Sequence, residues 1–224
     1  MLVIVDYKMG NIGSITNILR RLGVESIVSS RREDIEAATA LILPGVGAFD
    51  HGIRQLRDLG IAPVLQRKVV DEHTPILGIC LGMQLMAGRS DEGKMPGLGW
   101  VDAEVKRFDP QQFDSPLKIP HMGWNYIEPN QPHLLFDGVD EPQRFYFVHS
   151  FHVCCRDAST VLAEAEYGYR FTAAVCRDNI LGVQFHPEKS HRYGLSLLAN
   201  YLRYCDHVSS ESHPLPAFGT RKAG

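Results

Sequence analysis

The stretch Pro75-Ile76-Leu77-Gly78-Ile79-Cys80-Leu81-Gly82-Met83-Gln84 constrains this chain more than any other. An apolar run suited to a buried strand stops at a cysteine held between two glycines. A helix-like segment, Leu81 to Met86, follows at once. This is the layout of a nucleophile elbow, with Cys where related hydrolases place Ser. The glycines permit the sharp turn and leave room on both sides of the sulfur. The helix N-terminus behind Cys80 offers N–H groups and a positive dipole end to a thiolate or a developing oxyanion. A buried free cysteine is often only a small hydrophobe, so the elbow alone does not make Cys80 a nucleophile.

A second motif about a hundred residues later supplies the missing partners. Ile180 to Phe185 is another apolar run, and it ends in His186-Pro187-Glu188-Lys189. With Cys80 as nucleophile, His186 is the general base and Glu188 the group that holds the imidazole in its useful tautomer. A third element follows the strand-like Ala40 to Leu43. Pro44-Gly45-Val46-Gly47-Ala48-Phe49 is a loop in which proline and glycine force a special backbone turn. Such a loop can aim N–H groups at an oxyanion, and Val46, Gly47 and the amide of Leu81 are the candidate donors.

The first half alternates strand and helix. Strands are expected at Leu2 to Val5, Ser26 to Val28, Leu41 to Leu43 and Pro75 to Ile79. Helices are expected at Ile15 to Leu22, Glu33 to Ala38 and Ala62 to Val70. This pattern implies an α/β fold with a parallel sheet, whose ligands sit at the carboxyl ends of the strands. Strand-like runs in the second half, at 100–108, around Tyr126, and at 144–147, 161–167, 171–176 and 180–184, read as antiparallel hairpins added to that sheet. Ser196 to Tyr204 is the expected closing helix. Residues 1–205 form the expected domain, and the polar stretch 206–224 reads as a flexible tail.

The 224 residues are 44% hydrophobic and 22% charged, which suits one soluble domain with a sizeable core. A net charge of −3 gives no footprint for nucleic acid or an anionic membrane. No apolar stretch is long enough to span a bilayer, and Met1 to Asp6 reads as a strand and not a signal peptide. The five cysteines follow no disulfide or zinc spacing. A reducing cytoplasm with no metal and no cofactor is therefore expected.

The motifs PGVGAFD, GICLGMQLM, PHMGWN, FYFVHSFH and GVQFHPEKS resemble, in order and spacing, those of the class I (triad) glutamine amidotransferases. Within that family they are most similar to the glutaminase subunits of imidazole glycerol phosphate synthase, over Met1 to about Tyr204. The resemblance implies a flavodoxin-like three-layer fold, with a mostly parallel central sheet and added antiparallel strands. It also implies glutamine hydrolysis and transfer of the ammonia to a (β/α)8-barrel cyclase of histidine biosynthesis on a separate chain. By position it makes Gln84, Glu92, His149, Ser150 and Phe151 glutamine-binding residues, with Asp91 an alternative to Glu92. By the same route Asn11, Pro120, Met122, Trp124, Asn125, Tyr146 and Lys189 face the partner, with Gly13 beside them.

Some positions depart from the pattern. Lys8 stands where relatives carry Gly, Phe151-His152 replaces Tyr-Tyr, and His191 is unusual. The last two features are similar to a paralogous branch that supplies ammonia for a nucleotide-linked amino sugar in surface-polysaccharide synthesis. That pathway is the alternative destination for the ammonia. A cysteine peptidase or hydrolase on the same elbow is the alternative chemistry, and Gln84 and the HPE ending favour glutamine over it.

Overall fold

The computed structural model describes residues 1–138 and 142–212. Five strands are long continuous apolar runs or their neighbours: β1 (Leu2–Val5), β2 (Ser26–Ser29), β3 (Ala40–Gly45), β4 (Ile76–Cys80) and, much later, β13 (Ile180–Val183). They pair in parallel in the order β2-β1-β3-β4-β13. Burial on both faces explains why four of them read as unbroken hydrophobic sequence. The exception is β2, which takes the sheet edge and leaves Ile27 and Val28 exposed.

Alternate residues along each strand go to opposite faces. Ile4, Ile42, Leu77 and Ile79 join one core with Ile15 and Leu19 of α1 (Ile12–Arg21) and Leu198 and Tyr201 of the C-terminal helix. Val3, Val5, Leu41, Leu43 and Ile76 join the other. That second face is covered by α2 (Arg32–Glu36), α3 (Phe49–Asp58), α4 (Ala62–Gln66) and α5 (Leu81–Leu85). A π-helical turn, Arg67–Asp71, continues α4 and completes the helix expected at Ala62 to Val70. The result is the three-layer α/β arrangement. The helix α3 was not expected from the sequence, although Phe49, Ile53 and Leu56 bury one stripe of it.

Beyond β13 the sheet turns antiparallel. It continues through β12 (Arg170–Arg177), β10 (Phe151–Cys155) and β6 (Ala103–Arg107), and β5 (Arg89–Ser90) closes the far edge in parallel with β6. A branch is formed by β11 (Val161–Glu166), which pairs with β12 and with β8 (Glu128–Pro129). These are the added strands. The remaining two, β7 (His121–Tyr126) and β9 (Arg144–His149), depart from expectation. They form a separate two-stranded antiparallel sheet with His121 opposite His149. The chain leaves that small sheet at His149, bends at Ser150 and enters the main sheet at Phe151.

The closing helix α6 spans His191–Ser212, longer at both ends than expected. Its early start is fixed by Gly194, where any Cβ would collide with the carbonyl of Pro187. Residues 206–212 of the expected tail continue this helix, and 213–224 lie outside the described residues. No helix among the described residues is long and apolar enough to cross a membrane.

Candidate active site

Cys80 is the last residue of β4 and the residue before α5. Its φ of 52° and ψ of −108° lie outside the regions a side chain ordinarily adopts. Such strain persists only where neighbours over-determine it, and it collects at functional sites. Here the neighbours are close backbones. A Cβ on Gly82 would strike the Leu43 carbonyl, and one on Gly78 would come within 2.8 Å of Met83 N. The two glycines flanking Cys80 therefore let α5 fold back onto the sheet. That helix has only five residues, so its dipole offers less to a thiolate than the sequence expectation assumed.

Register brings the other two motifs to the same sheet end. Pairing of β3 with β4 sets Gly45 beside Cys80, so the Pro44–Phe49 loop starts at the sulfur's flank. On the other side Val183 of β13 pairs with Ile79, and the chain runs three residues further to His186. His186 Nδ1 lies 2.8 Å from Glu188 Oε1, and both side chains are almost completely buried. Burial opposes a charge on His186 most strongly, yet Cys80 and Glu188 together raise its pKa above the ordinary value. Nε2 is buried with no hydrogen-bond partner, and His186 lines the same cleft as Cys80. The imidazole is also held from behind. Its backbone N–H donates to Tyr146 O at 2.8 Å, and its carbonyl accepts from Ser190 Oγ at 2.6 Å. Ser190 in turn accepts from Tyr146 N, tying His186 to β9. Ser190 was not singled out by the sequence; the run of charged residues around it hides its burial.

A cleft of about 480 Å³ opens at this point. Cys80, His186, Val46, Gly47 and Leu81 line its floor, and Gln84, Glu92, His149, Ser150 and Phe151 line its wall. Glu92 Oε2 accepts from Phe49 N at 2.8 Å, so this acid caps α3 while facing the cleft. Asp91 turns away toward Lys106 at 3.8 Å. Gln84 donates to the Phe151 carbonyl and to Gln184 Oε1, each at 3.0 Å. Gln184, fully buried, donates onward to the Cys80 sulfur at 3.7 Å. Among the described residues no group of three or more His, Cys, Asp or Glu is placed to hold a metal ion.

The sequence model of class I glutamine amidotransferases matches residues 3–203, the whole of this framework. The chain belongs to the class I glutamine amidotransferases. It is 48% identical over 203 residues to the imidazole glycerol phosphate synthase subunit HisH 2 of Methanococcus maripaludis, covering 91% of this chain and 99% of that one. A protein of the same name from Pseudomonas aeruginosa is 48% identical over 202 residues, covering 90% and 98%. The fold alone is shared with a solved glutamine amidotransferase of 23% identity, at a TM-score of 0.68 over 91% and 98% of the two chains.

From Pro120 at the cleft, the strand β7 of this amidotransferase runs on with an exposed apolar face. Alternation along β7 sends Met122, Trp124 and Tyr126 outward, at 61%, 42% and 55% exposure. His191 stacks on Trp124 at 5.4 Å with the rings 4° apart, and Arg144 covers the same indole at 5.5 Å. Lys189 lies over the Tyr146 ring at 5.7 Å. Pro120 lines the cleft itself. Asn125 turns inward, donating to the Glu166 carbonyl at 2.8 Å. Asn11 precedes α1, and a Cβ at the neighbouring Gly13 would meet open space.

Two departures from the family pattern have local explanations. Lys8 has φ 68°, a conformation suited to Gly, and Asp6 holds both its N–H and its Nζ at 3.0 Å. His152 is buried against Tyr169, whose hydroxyl lies 3.1 Å from Nε2.

Proposed function

We propose that this chain is the glutaminase subunit of an imidazole glycerol phosphate synthase, in which Cys80, His186 and Glu188 hydrolyse glutamine and the ammonia passes to a (β/α)8-barrel cyclase subunit. Family membership and the two HisH relatives support the reaction and the assembly. The meeting of Cys80, His186 and Glu188 at adjacent strand ends is the observation that carries the site assignment.

Cys80 gives its proton to His186, and its sulfur attacks the glutamine carboxamide carbon. The oxygen, now negative, is met by the amides of Leu81 and of Val46 or Gly47. The C–N bond breaks as His186 returns the proton to nitrogen, and ammonia leaves. A water, deprotonated by His186, then cleaves the thioester and releases glutamate and the Cys80 thiol. Glu188 stabilises the imidazolium in both halves. Gln84, Glu92 and the 149–151 backbone hold the amino-acid end of the substrate. Pro120, Met122, Trp124, Tyr146 and Lys189, with Asn11 and Asn125, form or border the partner-facing surface, and the assembly works in the cytoplasm.

Glutamine turnover with ammonia detection, for the chain alone and with the barrel subunit, tests this reading. Hydrolysis stimulated by that subunit is expected. Stimulation by an amino-sugar amidotransferase instead would redirect the ammonia to polysaccharide synthesis, and hydrolysis of peptides without glutamine turnover would overturn the assignment.

A further inference from the structure

A continuous chain of hydrogen bonds runs behind the cleft wall from strand β7 to the sulfur of Cys80. Asn125 Nδ2 lies 3.3 Å from His121 Nε2. His121 Nδ1 lies 3.0 Å from His149 Nε2. His149 Nδ1 lies 2.7 Å from the Phe151 carbonyl. That carbonyl accepts also from Gln84, which reaches Gln184 and so Cys80. His121, His149, Gln84 and Gln184 are all buried.

The donors in this chain are fixed by its ends. A carbonyl only accepts, so His149 carries its proton on Nδ1. In a neutral ring Nε2 is then an acceptor, and His121 must donate from Nδ1. His121 Nε2 in turn accepts from Asn125, whose other N–H is taken by Glu166 O. Burial pushes His121 down to about 4 and His149 well below its ordinary value, so both rings are neutral at pH 7. At the other end, Phe151 O and Gln184 Oε1 use both hydrogens of the Gln84 amide. Only the Gln84 carbonyl oxygen remains to meet a substrate N–H. Gln184 Oε1 accepts, so its nitrogen is the atom that points to the sulfur.

We propose that His121 and Gln184 are positioning residues for the glutaminase reaction, one at each end of this chain. His121 donates to the His149 Nε2 left as an acceptor, and thereby holds the His149 ring, the Phe151 carbonyl and the Gln84 amide in the orientation that receives substrate. Gln184 presents an N–H to the Cys80 sulfur and steadies the thiolate that attacks. The proposal rests on the glutaminase reading above, and its test separates the two.

Histidine-selective ¹⁵N NMR of the full chain at pH 7 should find both His121 and His149 as Nδ1–H tautomers, the less common form in water. His121→Phe keeps the ring that stacks on Phe147 and Tyr167 but removes the donor. Reaction with the diazoketone glutamine analogue 6-diazo-5-oxo-L-norleucine then reads binding and attack separately. H121F should weaken its saturable binding about tenfold with little change in the maximal rate, and should shift the His149 Nε2 ¹⁵N resonance as that acceptor loses its donor. Gln184→Met should slow the maximal rate about tenfold, and, because it also removes one acceptor of the Gln84 amide, should weaken binding, but by less than H121F does. Tyr169→Phe, which removes the hydroxyl shared by His152 and the Asp109 N–H, controls for general loosening and should leave both constants alone. An Nε2–H tautomer at His149 in the unaltered chain, or unaltered constants in both H121F and Q184M, would overturn the proposal. Failure of the unaltered chain to react at Cys80 would sink the glutaminase reading instead, while the tautomers still decide the chain.

Discussion

Replacing Glu188 by Gln removes one charge from the triad and almost nothing else. The Glu188 Oε1–His186 Nδ1 contact is 2.8 Å between side chains that are both almost fully buried. Oε2 has no hydrogen-bond partner, so the amide nitrogen of Gln can take its place without meeting a donor. The carbonyl oxygen keeps accepting from Nδ1, and the tautomer survives. What is lost is the carboxylate's support of the imidazolium. A hydrogen bond to a charged group is worth about 1.5–3 kcal/mol. That converts to a fall in kcat/KM of roughly 10- to 150-fold. His186→Ala removes the base itself and should cost at least roughly 10²–10⁴-fold. Glutamate release, measured for both variants under the same conditions, checks the order. An E188Q loss equal to or larger than that of H186A would mean that the roles are assigned wrongly.

Gly47→Ala should lower kcat by roughly 10²–10³-fold through a misplaced oxyanion donor, because Gly47 has φ 103° and a Cβ there would come 3.1 Å from Met9 Cε. Steady-state turnover, measured below the temperature at which the strained variant begins to unfold, checks it, and an unchanged kcat would remove the loop from the mechanism. His121 and His152 are each lowered by burial to about 4, so the unfolded chain binds more protons between pH 6.5 and 4, and stability should fall with falling pH across that window. The loss is about 1.4 kcal/mol per pH unit for each ring, readable by urea unfolding at pH 7, 6 and 5, where a flat profile would contradict it. Glu104 acts in the same sense at lower pH: Arg89 and Lys106 hold its carboxyl down to about 2, so that support is lost as pH falls from its ordinary range toward about 2. Trp124→Ala should weaken the barrel subunit's binding by about 2 kcal/mol or more, measured by calorimetry, and should leave Cys80 labelling of the lone chain intact.

The parts of this amidotransferase that were legible in its sequence are those whose signal is local. The elbow declares itself through Gly78, Cys80 and Gly82, since only that spacing allows a strand to turn so tightly. The parallel strands declare themselves because burial on both faces leaves them uniformly apolar. The helix α3 escaped because it begins directly at the Gly-rich loop, and its four buried residues are scattered among Asp50, His51, Arg54 and Arg57. The separate β7–β9 sheet depends on pairing across 18 to 28 residues, and a period-two pattern does not name its partner. His121 and Gln184 were hidden for a related reason. Each is a single polar residue whose role exists only after distant strands meet, and neither spacing nor composition marks it.

The most direct measurement is the site of covalent addition by 6-diazo-5-oxo-L-norleucine, mapped by peptide mass spectrometry with glutamine as competitor. The account predicts one adduct, on Cys80, blocked by glutamine and lost in Cys80→Ala. Labelling of Cys154, Cys155, Cys176 or Cys205 in its place, or an adduct that glutamine does not suppress, would contradict it.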